Sequence, residues 1–390
     1  MKKDLILVFL LFLSVATYSQ KKTSEPVNPF VEIDKLVDDN NTSFSTLNAI
    51  AAFVDSTFKK EEDKCRAIYH WVTKNISYAP ELMFTYKTSN KRTQLVKDVF
   101  ENKTGICIGY ATVFDTLCKL VKLPSYIIEG STKQSFLPAI IGHAWCSVKI
   151  NNTWQLFDPT WGSGYLQNNK FVRRLNNDYY FTDPDKLIKT HYPIDPIWQM
   201  KMFPITLYQF HTGAASTIKA QWWYQDSIND FLKLSEIEKI TAMARRLNEF
   251  GTSSEVTANY YNYLKSKEGE YYTKKLNSAG NHFNHATEVY NDYINFKNKQ
   301  FTPTKPDAEI SKMMTAVTEL VELSKAEILG VPPDFTEQSA TYIQSINKQV
   351  KELESKIEQE TIFVNRYIST KKASRKNLFY VKTIYGIPVK

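Results

Sequence analysis

Hydrophobic spacing divides the chain into two halves of different character. From Thr46 to Tyr78 the pattern is helical, and between Asp63 and Ile76 the apolar positions Ala67, Ile68, Trp71 and Val72 fall three and four apart. A short extended piece, Ile76-Ser77-Tyr78, then runs into the break at Pro80. A second helix is expected from about Cys107 to Lys122, with Ala111, Phe114, Leu117, Cys118 and Val121 on its apolar side and Pro124 as its stop. Tyr126 to Gly130, Ala144 to Ile150 and Thr153 to Phe157 read as strands, and Asn151-Asn152 suits a two-residue hairpin turn between the last two. Helices ahead of an antiparallel sheet indicate an α+β domain.

Beyond about Gln199 the pattern becomes all-helical. Ser235-Glu236-Ile237-Glu238 is a capping box that opens a helix running towards Gly251, and two further helical stretches are expected near 255 to 276 and 281 to 299. Pro303 and Pro306 break the chain, Asp307 and Glu309 sit in a new first turn, and that helix should end at Gly330. The last helix is the most regular: Ile343, Ile346, Val350, Leu353, Ile357, Glu360, Val364 and Tyr367 form an apolar seam with one charged interruption. That seam should lie along another helix, within the chain or in a dimer. The expected organisation is a tail over 20–45, an α+β domain over 46–203 and an all-α helical domain over 204–390, behind a leader over 1–19.

The strand pattern carries candidate chemistry. With Asn151-Asn152 as the loop, Ile150 faces Thr153 and Trp145 lies opposite Asp158. His143 then shares a face with Asp158 as its diagonal neighbour, roughly 7 Å away by backbone and within side-chain reach. Cys107 opens a helix, where unpaired N–H groups and the helix dipole favour a thiolate and can stabilise an oxyanion. Gly105 and Gly109 leave room for other backbone to approach. Cys107, His143 and Asp158 thus form a possible nucleophile, base and orienting carboxylate. Cys146 has the opposite strand parity from His143 and points away from it.

Lys103-Thr-Gly-Ile-Cys107-Ile-Gly-Tyr-Ala111, His143-Ala-Trp145 and Asp158-Pro-Thr-Trp161 together resemble the transglutaminase-like superfamily of papain-type fold. The helix around Arg66 to Trp71 resembles the one that precedes the catalytic segment there. The stretch from Tyr179 through His191 to Gln199 is similar to the tail of the kyphoscoliosis-peptidase branch, so the resemblance covers about residues 50–203. It implies Cys107 as nucleophile, His143 as general base and acid, and Asp158 as its orienter. The Cys107 backbone N–H is one oxyanion donor, and relatives that use an upstream tryptophan make Trp71 the candidate for another. Where relatives commonly carry Asn after His-Ala-Trp, this chain has Cys146. The implied function is a thiol enzyme acting on amide bonds of a protein or peptide through a thioester, as peptidase, amidase or transglutaminase. The other reading is a catalytically inactive scaffold that holds a protein partner through its C-terminal helices. Neither reading calls for a cofactor or a metal.

Composition narrows the class. Of 390 residues, 43% are hydrophobic and 14% aromatic, so disorder and a polytopic membrane protein are out. Lys+Arg 49 against Asp+Glu 41 gives +8, with no basic run that would track nucleic acid. Lys2 and Lys3, the apolar stretch Leu5 to Val15 and the small residues Thr17 and Ser19 read as a secretory signal cut ahead of Gln20, which makes the mature protein exported, periplasmic or secreted. Cys107 and Cys118 share a helix at roughly 16 Å separation and cannot bond. With Cys107 as a working thiol, Cys65, Cys118 and Cys146 allow one disulfide at most. His282, His285 and Glu288 fall at i, i+3 and i+6 and read as a solvated face rather than a metal site, and Trp222-Trp223-Tyr224 as packing between the two halves.

Overall fold

The structure is a computed structural model describing residues 28–84, 91–133, 140–218, 221–252, 255–333, 335–380, 383–384 and 387–388. The leader over 1–19 lies outside the described residues. The chain forms two compact units, Met1–His191 and Tyr192–Lys390.

In the first unit the elements run α1 (Val31–Asn40), α2 (Leu47–Thr57), α3 (Glu61–Asn75), β1 (Ser77–Tyr78), α4 (Arg92–Asn102), β2 (Thr104–Gly105), α5 (Cys107–Leu120), β3 (Ser125–Lys133), β4 (Ile140–Ile150) and β5 (Thr153–Phe157). They continue as α6 (Pro159–Ser163), β6 (Gly164–Gln167), β7 (Lys170–Arg173), α7 (Pro184–Leu187) and β8 (His191–Pro193). The main sheet has the order β5-β4-β3-β8, with β3, β4 and β5 antiparallel. Ile150 pairs with Thr153 and Cys146 with Phe157, the register expected from a two-residue loop. Asn151 and Asn152 both take the left-handed conformation, φ 47° and 66°, that such a turn demands.

Helix α5 is the spine of this unit. Tyr110, Ala111, Val113, Phe114, Leu117 and Cys118 are all buried, beside Ile68, Tyr69 and Val72 of α3 and Cys146, Val148 and Phe157 of the sheet. Each large apolar side chain hidden in this way contributes about 1.5–3 kcal/mol. Tyr69 is wedged between the rings of Phe114, Phe157 and Tyr180, with centroids 6.2, 6.5 and 5.0 Å away.

The segment expected to be a tail carries α1, which corrects that expectation. Its Asp34 is buried and accepts from Arg66 Nε and Nη2 at 2.7 and 2.6 Å. Arg66 also donates to Asn177 Oδ1 at 2.7 Å and lies 4.4 Å over the Phe30 ring. A buried guanidinium needs such a partner, so the polar stretch is recruited into the fold.

The second unit contains α8 (Leu207–Thr212), α9 (Tyr224–Lys233), α10 (Glu236–Phe250), α11 (Glu255–Asn298), α12 (Asp307–Leu329) and α13 (Glu337–Ser369). It begins ahead of the expected boundary at 203/204 because Asp195 accepts from buried Arg246 of α10 at 2.7 and 2.6 Å, and Tyr192 packs on Phe210. Where two helices were expected near 255–299 there is one. The small residues Ala279 and Gly280, which look like a break, are contact points: Ser324 donates to the Ala279 carbonyl at 2.9 Å, and a Cβ at Gly280 would stand 2.4 Å from the Tyr342 hydroxyl. The seam of α13 is buried within the chain against α11 and α12. Its charged interruption, Glu360, accepts from Tyr293 Oη at 2.9 Å and Lys297 Nζ at 2.5 Å, a polar pair that sets the register of the apolar layers. Trp222 stacks on Phe250 inside this unit, and Trp223 is exposed. Among the described residues no helix is long and apolar enough to cross a membrane.

Candidate active site

Cys107 is held at the first position of α5 by the segment just before it. Helix α4 ends at Lys103 in the left-handed conformation, φ 54°, and β2 then pairs in parallel with β1, Tyr78 against Gly105. Ser77 N donates to Lys103 O at 2.8 Å and Ala79 N to Gly105 O at 3.1 Å. Gly105 and Gly109 both face the side chain of Val99 from α4, where a Cβ would meet Val99 Cγ2 at 3.3 Å in the first and 2.9 Å in the second, and at Gly105 it would also stand 3.7 Å from the Gly109 backbone. Cys107 is half-buried at the start of α5, where Gly109 N and Tyr110 N donate to Ile106 O at 2.8 and 3.2 Å and the N–H groups of Cys107 and Ile108 have no intrahelical carbonyl to bond.

His143 stands on β4, and Asp158 follows directly after the β4–β5 ladder, so strand parity brings both to one face. Asp158 N donates to Tyr179 O at 2.9 Å, which turns the chain out of the sheet. The carboxylate then works with both oxygens. Oδ1 caps α6, accepting from Thr160 N at 2.8 Å and Trp161 N at 3.1 Å, while Oδ2 accepts from His143 Nε2 at 2.7 Å. The Cys107 side chain also acts on the His143 imidazole, and with Nε2 committed to Asp158 the nitrogen left for the thiol is Nδ1. Burial by itself would push the His143 imidazole down, but the charge and hydrogen bond of Asp158, with a further contribution from Cys107, lift it to about 10. Burial opposes ionisation of Asp158 as well, yet His143 and His191 hold it well below the usual carboxylate range. The arrangement is a buried imidazolium–carboxylate pair facing a half-buried thiol.

His191 is a member of this site to which the sequence reading assigned no role. Its Nε2 lies 3.0 Å from Asp158 Oδ2 and its Nδ1 2.8 Å from Thr190 Oγ1. Among the described residues, His143, Asp158 and His191 are the one group of His, Cys, Asp and Glu side chains gathered within 4.8 Å, close enough to surround an ion. Here the same atoms are matched with each other as donors and acceptor. His282, His285 and Glu288 form no such group.

Trp71 does not meet the expectation of an oxyanion donor. It is 1% exposed, stacks on Phe100, and its indole N–H donates to Asn41 Oδ1 at 3.0 Å, so the donor is spent in the core. All four cysteines are free. Cys146 is buried against α5 with its thiol 3.4 Å from Ala111 O, and Cys65 and Cys118 are buried, with burial and Cys65 pushing the Cys118 thiol up.

Residues 48–159, which include all three members of the Cys107–His143–Asp158 set, match the transglutaminase-like superfamily. The first unit therefore carries a transglutaminase-like domain, a fold of thiol-enzyme type, here joined to a helical C-terminal region. Its curated relatives are kyphoscoliosis peptidase-like proteins. The chain is 29% identical to kyphoscoliosis peptidase of Mus musculus over 180 residues, 43% of this chain and 26% of that protein. It is 27% identical to the Homo sapiens protein of the same name over 204 residues, 50% and 30%. To Lim and transglutaminase domain protein ltd-1 of Caenorhabditis elegans it is 27% identical over 196 residues, 42% and 25%. The chain thus spans less than a third of the length of these relatives. A solved structure described as a putative cysteine protease from Cytophaga hutchinsonii aligns over 38% of this chain and 49% of that one, at 19% identity and a TM-score of 0.25.

Proposed function

We propose that this chain is an exported thiol enzyme that acts on amide bonds of protein or peptide substrates. The observation that carries the proposal is the bond from His143 Nε2 to Asp158 Oδ2 at 2.7 Å, on an imidazole that the half-buried Cys107 side chain also acts on. The Cys107 sulfur attacks the carbonyl carbon, and the Cys107 backbone N–H at the start of α5 receives the developing oxyanion. His143 passes its proton to the departing amine or ammonia as the C–N bond breaks, and a thioester remains on Cys107. Water or a lysine amine then attacks the thioester, gives its proton to His143 and releases the thiol. Water makes the enzyme a peptidase or amidase, and an amine makes it a transglutaminase. Kyphoscoliosis peptidase as a relative supports hydrolysis. Export rests on the Lys2-Lys3 start and the apolar stretch to Val15, and N-terminal sequencing of the protein secreted from its host should begin near Gln20.

The test is the pH dependence of alkylation at each cysteine, mapped by mass spectrometry, in the wild type and in His143→Ala. Cys107 should react readily below pH 8 and lose that reactivity without His143. The same preparations should cleave a casein-type substrate or attach a fluorescent primary amine to glutamine, and Cys107→Ala should do neither. A Cys107 that alkylates like an ordinary thiol, unchanged by His143→Ala, would overturn the enzyme reading in favour of a scaffold.

A further inference from the structure

The transglutaminase-like match ends at residue 159, well before His191, so nothing in it assigns this histidine a role. The environment of His191 is unusually complete. It is 1% exposed, with the Trp161 ring centroid 4.5 Å away, Trp145 at 5.2 Å and His143 at 5.3 Å, all edge-on. Thr190, the residue before it, is anchored to the sheet through its carbonyl, which accepts from Lys133 N at 2.8 Å. One carboxylate faces two imidazoles, and charging both would leave an uncompensated cation in a dry site. The charge goes to His143, which has the shorter contact and the thiol beside it. Burial keeps His191 down, although Asp158 pulls the other way. A neutral His191 that donates from Nε2 to the carboxylate must accept at Nδ1, and the Thr190 hydroxyl is placed to donate there at 2.8 Å, with the Leu187 carbonyl as its longer alternative at 3.3 Å.

We propose that His191 is a positioning residue: its Nε2–H is the fourth donor on the Asp158 carboxylate, and it keeps the proton of the His143–Asp158 pair on the imidazole. The proposal rests on the thiol-enzyme reading for its purpose but not for its test. With His191 in place each carboxylate oxygen holds two donors, Thr160 N and Trp161 N on Oδ1, His143 and His191 on Oδ2. Without the fourth, a buried carboxylate loses part of its stabilisation and the shared proton moves towards Asp158. His143 then turns into a neutral imidazole, and the cation opposite the thiolate disappears. The other titratable groups that feel the carboxylate are Tyr69, Tyr78, Tyr110, Tyr179 and Cys146, and burial with the Asp158 charge keeps Tyr110 and Cys146 protonated. Burial and the Asp158 charge hold Tyr179 at about 12, and burial with the charges of Cys107 and Asp158 holds Tyr78 at about 12, so these phenols stay protonated through the assay range. Burial and Asp158 raise Tyr69 in the same way.

The experiment compares full-length wild type, His191→Phe and His191→Gln, with His143→Ala beside them. The readouts are the ring-nitrogen NMR shifts of His143 from pH 5 to 10.5 and the pH profile of Cys107 alkylation over the same range. In His191→Phe the imidazolium signature of His143 should vanish at a pH at least one unit lower than in wild type, and the limb of the alkylation profile that follows His143 should move down with it. His191→Gln, whose amide can donate to the same oxygen, should recover most of both. An unchanged His143 titration in His191→Phe, or equal behaviour of the Phe and Gln variants, overturns the proposal. Should His191→Phe not fold, Thr190→Val removes the hydroxyl that sets the tautomer and must shift the His143 titration in the same direction. If alkylation is indifferent to His143→Ala, the enzyme reading falls, while the His143 ring shifts still decide the role of His191.

Discussion

Asp158→Asn separates the two jobs of one side chain. The amide oxygen can still accept from Thr160 N and Trp161 N, so the cap of α6 survives and its loss of roughly 1 kcal/mol is avoided. The amide nitrogen, however, now faces His143 Nε2 and His191 Nε2, where both imidazoles had been donors. Both rings can adjust by moving their proton to Nδ1, which turns two charge-assisted bonds into two neutral ones at a cost of about 1–3 kcal/mol in all. For a unit of this size that lowers Tm by about 2–10 °C, and the fold should persist. The chemistry suffers far more. His143 would carry its proton on Nδ1, against Cys107, and could not take the thiol proton; the equivalent change in a Ser-His-Asp triad costs roughly 10⁴-fold in rate. The lift of His143 from 6.5 to about 10 runs against burial and comes from Asp158 with help from Cys107. With the carboxylate charge gone, burial opposes the imidazolium with only Cys107 against it, so His143 should be largely neutral at pH 6. The assay is differential scanning fluorimetry together with iodoacetamide labelling of Cys107 at pH 6, where Asp158→Asn should react at least tenfold more slowly while remaining folded. A folded Asp158→Asn protein with wild-type labelling would refute the reasoning, since the carboxylate would then play no part in activating the thiol.

Three further outcomes are expected. His143 is raised in the folded state, so its contribution to stability is full below about pH 6.5 and is lost as pH rises through about 10; wild-type Tm should fall by a few degrees more than that of His143→Gln between pH 7 and 10.5. Arg66→Ala removes the guanidinium from buried Asp34, leaving it Asn28 Nδ2 at 2.9 Å and His70 Nδ1 at 3.4 Å, and should cost about 3 kcal/mol in urea unfolding, whereas the double change Asp34→Leu with Arg66→Met should recover most of it. Gly162→Ala places a Cβ 1.8 Å from the hydroxyl of fully buried Tyr69, so it should cost about 1–3 kcal/mol and be partly rescued by Tyr69→Phe; additive effects of the two changes would show that the clash is not the cause.

Much of the site is legible without a structure because it depends on local periodicity. Strand parity is a property of the backbone, and a two-residue Asn-Asn loop sets the hairpin register, so the shared face of His143 and Asp158 follows from residues 143–158 alone. Cys107 at a helix start is equally local, given Gly105 before it and Pro124 beyond. The apolar seam of α13 likewise reads directly from steps of three and four. What local pattern could not supply are interactions between positions far apart in the chain. The bonds from Arg66 to Asp34 and from His191 to Asp158 join residues 32 and 33 positions apart. Their partners are chosen by how helices and strands dock, so a polar stretch looked like a tail and a histidine in a familiar stretch had no assigned role. Trp71 sat on the apolar side of its helix, but only packing showed that its N–H was committed to Asn41. Gly280 illustrates the same point: glycine lowers helix propensity locally, and the approach of Tyr342 gives it a place inside a 44-residue helix. Periodicity decides which face a side chain occupies, because that is geometry along one backbone. Only the tertiary structure decides which buried charge or donor meets which partner, because burial makes every polar group's pairing a requirement on the rest of the chain.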